Sequence, residues 1–222
     1  MVDENRKQWN ARQKQLKVFL GDSKRFHQAV ELLLEQHAMV HTEKIVTPGL
    51  WSFEDALFDD ATDEMVRNIF KGTDYSIAWR IWHIARIEDM TMNILVAGES
   101  QVLGTGDWLR RMNAGAKDSG NAMDRTEVAA FSNNINIVEM RAYRLAVGQK
   151  TREIIQRLTP TDMARKTDSR RLQRILDEGA VVPQARGLID YWGGRTIAGL
   201  MLMPATRHNL VHLNESFRII AR

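Results

Sequence analysis

Apolar residues in this chain recur three and four positions apart over long segments, and nowhere do they alternate with polar residues over a useful length. That period lays a stripe along a helix and gives no buried face to a strand. No Asn-Gly or Asp-Gly hairpin turn separates candidate strands, and no fixed-period repeat or low-complexity tract appears. From about Arg12 to Ile45 the positions Leu16, Phe19, Leu20, Phe26, Val30, Leu33, Leu34, Met39 and Val40 keep the helical spacing, with one break near Gly21–Asp22. Pro48 and Gly49 stop this segment, and a short helix follows. A second long helix starts at Asp74 or Ser76, runs through Ile77, Trp82 and Ile87 to Val96, and ends at Gly98. The Gly-, Asn-, Asp- and Ser-rich stretch after it is too long for a plain connection and reads as a functional loop with a short helical turn. A third long helix spans about Thr126 to Leu158, a short one Ser169 to Glu178, and a last segment Pro183 to Ile220 with a break at Pro204. The expected architecture is all-α: one four-helix-bundle domain over residues 1–222, with short extra helices, a long central loop and residues 1–12 as a frayed N-terminal arm.

Composition narrows the function classes. Apolar residues make up 44% and charged residues 27%, the balance of a soluble globular protein. No run of ~18 apolar residues offers a transmembrane helix. The polar opening "MVDENRKQWNARQKQ" lacks the apolar stretch of a secretory signal, so a cytoplasmic location is expected. Cysteine is absent, which removes disulfides, thiolate metal ligands and a cysteine nucleophile. The net charge of +3, from 31 basic and 28 acidic residues, is too small a surplus to argue for a nucleic-acid partner.

Chemistry enters with the histidines. "TRHNLVHLNE" puts His208 and His212 four residues apart, on one face of a helix. Two imidazoles so placed can reach one metal ion at ~2.0–2.1 Å, but a catalytic ion needs a third ligand. His27, His37, His41 and His83 are the candidates. His83 lies mid-helix among Ile81, Trp82, Ile84 and Ile87, where a buried imidazole needs a partner, at a cost of ~1–3 kcal/mol if it has none. "EQHAMVH" repeats the four-residue spacing at His37 and His41, so spacing does not choose between the two pairs. A zincin site is excluded, because Asn209 stands where that motif needs glutamate. A carboxylate-bridged di-iron bundle is excluded too, because no histidine has glutamate three residues before it. P-loop, dinucleotide-binding and nucleophile-elbow motifs are missing.

"WRIWHIARIEDM" together with "TRHNLVHLNE" resembles the DinB/YfiT-like superfamily of metalloenzymes, over roughly residues 13 to 220. The resemblance implies a four-helix bundle that holds a divalent metal through one histidine of the second helix and an H-x-x-x-H pair of the last. His83 matches the first ligand, and His208 and His212 match the pair. His37 and His41 fall outside the pattern and are expected to be surface or packing residues. The resemblance further implies a transferase or isomerase that adds a low-molecular-weight thiol co-substrate to an electrophile through a metal-bound thiolate. Three neutral imidazoles leave the charge of the ion and open positions, where a thiol deprotonates. The same ion can activate water, which would make a hydrolase, and a non-catalytic ligand- or protein-binding module is the third alternative. Imidazole ligands suit zinc or nickel first, and also iron, copper or manganese. A homodimer acting on a small molecule, away from membranes, is the expected state.

No catalytic residue beyond the ligands is identified. Arg80 and Arg86 flank His83 by three residues and Arg207 adjoins His208, so each is a candidate for a substrate carboxylate. Glu215, three residues after His212, is placed to orient that imidazole from behind. Trp79, Trp82, Met201 and Met203 read as packing residues.

Overall fold

The computed structural model describes residues 1–221, and no strand longer than an isolated bridge between Lys166 and Thr196 occurs among them. Helix α1 covers Val2–Leu20 and α2 Phe26–Ala38, separated by the expected break at Gly21–Asp22. The polar stretch read as a frayed arm is instead the first half of α1. Trp9 anchors it there, fully buried, with its indole N–H on the Gln36 carbonyl at 3.1 Å. Short helices α3 (Phe53–Asp60) and α4 (Asp63–Arg67) lead to α5 (Ile77–Asp89).

Helix α5 begins at Ser76, whose hydroxyl accepts from the Trp79 amide at 2.9 Å, the usual service of an N-cap serine. Every residue of α5 is buried, because α8 (Ile137–Arg157) and α12 (His208–Ile220) pack on it from different sides. A helix wrapped on all sides suits apolar residues, yet α5 carries Arg80, His83, Arg86, Glu88 and Asp89. Each of these needs partners inside the protein, and those partners build the site. The helix continues as a wider π-helical segment, Met90–Ala97, and stops at Gly98, whose φ of 76° is the left-handed conformation glycine adopts cheaply at a helix end.

The polar loop after Gly98 holds a single turn at Val102–Gly104 and the short helix α6 (Trp108–Met112), as its composition suggested. The third long helix of the sequence reading is two helices, α7 (Arg125–Asn134) and α8. Asn136 is the cause: its side chain caps α8 by accepting from the Glu139 amide at 3.2 Å, and it takes an extended backbone to do so. The remaining helices are α9 (Ser169–Asp177), α10 (Gly187–Gly193) and α11 (Ile197–Leu202), and a π-helical turn at Met203–Arg207 carries the Pro204 break into α12. The long axes of α1/α2, α5, α8 and α12 form the bundle, and among the described residues no helix is long and apolar enough to cross a membrane.

Candidate metal centre

His83 points from the middle of α5 toward the first turn of α12, where His208 and His212 stand one turn apart. The three rings lie mutually edge-on, at 66°, 83° and 84°, with centroids 4.7–5.1 Å apart. The Nε2 atoms of His83 and His208 are 3.2 Å apart, and one nitrogen from each of the three rings lies within 4.8 Å of the others. Nitrogens this close are within reach of one ion placed between the rings.

The back of two rings is fixed. His83 Nδ1 meets the Ser119 carbonyl at 2.7 Å. That oxygen can only accept, so Nδ1 carries the proton and Nε2 presents a lone pair. His212 Nδ1 meets the Glu215 carboxylate at 2.9 Å and is held in the same tautomer. Hydrogen bonds from His212 and Arg80 outweigh partial burial and bring the Glu215 carboxyl down to about 2, so it is an anion at neutral pH. Trp79 stacks on the other face of His83 at 4.6 Å and 8°, while its indole N–H holds the Gly120 carbonyl at 3.2 Å. Burial, then the neighbouring His212, lowers the His83 imidazole to about 3, and burial with the neighbouring imidazoles holds His208 well below its ordinary value. Both rings are therefore neutral bases, the form a cation binds.

These geometries fit a divalent ion. Two rings fixed from behind through Nδ1, with the His208 Nε2 at 3.2 Å from that of His83, make an all-nitrogen donor set.

A second group able to hold an ion lies one layer deeper: His37 and His41 of α2 with Glu88 of α5, all fully buried. Of the two expectations for the α2 pair, surface or packing, the structure excludes the surface. Their Nε2 atoms meet the two oxygens of the same carboxylate at 2.8 and 3.0 Å, and their rings stack at 4.3 Å and 28°. Nearly parallel rings send their N–H bonds side by side to the two oxygens of one carboxylate, rather than to a common point. Asn209, next to His208, donates a third bond to Glu88 at 3.0 Å. Burial opposes ionisation of Glu88, but His41 and His37 outweigh it and hold the carboxyl well below the ordinary range. Helix α8 admits this packing because Gly148 faces His41: a Cβ there would lie 2.7 Å from its Nδ1.

The flanking arginines divide. Arg80 donates to Glu215 at 3.2 Å and to the Tyr75 and Ser76 carbonyls, and so supports the carboxylate behind His212. Arg86 is fully buried and committed to Lys117, Asp89, Tyr143 and Gln101, so it offers nothing to a substrate. Arg207 turns away to Asn10 and lies over Trp9. Trp79, Trp82 and Met201 are buried as expected, and Met203 is half-buried. A wide open cleft lined by Lys117, Asp118, Met123, Phe131 and Val182 contains none of the three site histidines.

Spacing alone did not show Ser119, Glu88 or Asn209. Ser119 acts through its carbonyl, which any residue could supply. Glu88 carried a readable signal, since a carboxylate in a helix expected to be buried must have partners, and α2 repeats the H-x-x-x-H spacing.

An all-α bundle with three converging imidazoles defines a class of candidate metalloproteins. The chain belongs to the DinB superfamily, whose family model it matches over residues 54–214. No curated protein matches the chain.

The buried imidazoles set a pH dependence. His41 and His83 titrate near 3 when folded against about 6.5 when unfolded, and His208 is lowered in the same direction. The unfolded chain therefore binds more protons between these values, and stability is lost as pH falls from about 6.5 toward 3. Each ring contributes roughly 1 kcal/mol per pH unit in that window. Three such rings exhaust a fold worth about 5–15 kcal/mol before they titrate in place, so the metal-free protein is expected to unfold near pH 4–5. Circular dichroism against pH checks this, and a native signal down to pH 3 would contradict it.

Proposed function

We propose that His83, His208 and His212 hold one divalent metal ion, and that the protein is a transferase in which a small thiol attacks an electrophile at that ion. The observation that carries this reading is the backside fixing of two ligands, His83 by the Ser119 carbonyl and His212 by Glu215. When bound, the ion supplies the Lewis acidity that ionises a thiol entering an open position. The protein supplies the rest. Ser119 and Glu215 keep the Nε2 lone pairs turned inward, and Trp79 packs the face of His83 so that the ring cannot rotate away. Arg80 balances the charge of Glu215. The thiol comes from a co-substrate, because the chain has no cysteine.

The test is a thiol titration of the cobalt(II)-loaded protein with glutathione and other small thiols. Binding at the ion is expected to add a sulfur-to-metal charge-transfer band in the near ultraviolet. Turnover of a model electrophile such as 1-chloro-2,4-dinitrobenzene should then require both metal and thiol. Thiol-independent hydrolysis of a model ester, with no thiol-induced band, would replace the transferase by a hydrolase. Loss of both activities with the ion still bound would leave a binding module.

A further inference from the structure

Around the three ligands, charges can be paired off one by one. Glu215 is met by Arg80 at 3.2 Å. In the layer behind, Arg144 donates to Glu54 at 2.7 Å, and Arg141 reaches Glu54 at 3.3 Å and Asp55 at 2.7 Å, so two cations balance two carboxylates. Glu88 is left over: its three hydrogen bonds come from His37, His41 and the Asn209 amide. Both imidazoles donate through Nε2, and burial lowers the His41 ring to about 3, so that ring donates while neutral. Their Nδ1 atoms are buried and without partners, and an imidazolium would leave a bare N–H there. Glu88 forms no ion pair with an arginine or lysine: the Arg144 guanidinium is already paired with Glu54 and reaches Glu88 only through Asn209, which it bonds at 2.8 Å. A fully buried carboxylate so placed is costly unless something nearby repays it. The field of Glu88 reaches His208, where it opposes the lowering of that imidazole, and Asn209 links the carboxylate to the residue next to this ligand.

We propose that Glu88, clamped by His37 and His41, is the buried counter-charge of the metal centre and a positioning residue for it, without being a ligand. A dication on three neutral imidazoles carries 2+, and Glu88 reduces the local sum to a single positive charge. One anion, such as a thiolate, then brings the centre to neutrality. The inference rests on the metal reading above. That reading fails if the wild type binds no ion, whereas this one fails if Glu88→Gln binds the ion as well as wild type does.

Glu88→Gln removes the charge and keeps the shape. One imidazole still donates to the amide oxygen, and the other changes tautomer and accepts from the amide nitrogen. The affinity for zinc, measured by competition with a chromophoric chelator, is expected to fall on the order of 10–100-fold. The affinity of azide for the cobalt-loaded protein is expected to move the other way and tighten roughly 3–10-fold, because the centre then keeps its full charge. A merely structural role weakens both. Glu88→Asp is the complementary variant, since it keeps the charge and breaks the clamp. Its zinc affinity is expected to stay within about 3-fold of wild type, well short of the loss from removing an outer partner. Equal losses in Glu88→Gln and Glu88→Asp, unchanged zinc affinity in Glu88→Gln, or a second bound equivalent of zinc that Glu88→Gln abolishes would each overturn the proposal. In the last case Glu88 would itself be a ligand. Should Glu88→Gln fold poorly, a zinc affinity lowered about 10-fold or more in Glu88→Asp, which keeps the charge, overturns the proposal.

Discussion

Purified without chelator, the wild-type protein is expected to carry close to one divalent ion per chain and His83→Ala to carry essentially none. The size of the effect follows from ligand count. A structural zinc held by four protein ligands is worth about 10–16 kcal/mol, or roughly 3–4 kcal/mol per ligand. Losing one of three imidazoles therefore costs two to three decades in affinity, enough to empty the site through a column. His83 is the ligand to remove because it alone comes from α5, so its loss breaks the cross-bundle closure that the His208/His212 pair cannot supply from one helix. Its ring lies in a slot between Trp79 and the two α12 imidazoles, and alanine leaves a void there. Some stability is lost with it, on the order of 1–3 kcal/mol, so the comparison must be made on folded protein by elemental analysis. A His83→Ala protein that retains a full equivalent of metal would remove the centre from this account.

The helices were legible in the sequence from apolar side chains at regular spacing, whereas the three histidines were picked out only by the DinB/YfiT-like resemblance, since spacing left the His208/His212 pair level with His37/His41. Ile77, Trp82 and Ile87 mark α5 by period, and His208 and His212 announce a shared face. What spacing cannot carry is direction across the bundle. Arg80 and Arg86 are equally placed in sequence around His83, yet one supports the site and the other is sealed in a separate network. The rotation of α5 decides between them, and that rotation is set by what α8 and α12 pack against it. The α2 pair was left open between surface and packing for a related reason. His37 and His41 look like surface residues until Glu88, on another helix, supplies the carboxylate that makes their burial tolerable. The split of the third long helix hinged on one asparagine, Asn136, whose side chain competes with the helix it was expected to continue.

Arg86→Met is the second large effect, and it separates a structural arginine from a substrate-binding one. The guanidinium donates to Asp89 at 3.0 Å, Tyr143 Oη at 2.8 Å, Gln101 at 2.6 Å and the Lys117 carbonyl at 3.0 Å, all out of water. Asp89 in turn accepts from the Val102 and Leu103 amides at 2.8 and 3.0 Å, and so anchors the loop after Gly98. Burial raises the Tyr143 phenol well above its ordinary range, so it stays a donor to Asp89 and cannot replace the lost positive charge. Removing one partner of a buried ion pair leaves the other uncompensated and costs about 3–5 kcal/mol. At 2–4 °C per kcal/mol for a chain of this length, the melting temperature falls by about 6–20 °C. An arginine serving only a substrate would sit in a solvated mouth, and its loss would leave stability within about 0.5 kcal/mol. Replacing both partners, Arg86→Met with Asp89→Leu, should recover part of the loss, because no lone charge remains. Recovery stays incomplete, since the two loop amides and Tyr143 would still lack their acceptor. One of the three α5 side chains that tie down residues 117–120 is also lost; Trp79 on Gly120 and His83 on Ser119 remain, so the metal stays bound. Thermal melts of the single and double variants, with metal content measured on the same samples, test each step. A single variant that melts with wild type would return Arg86 to the substrate side.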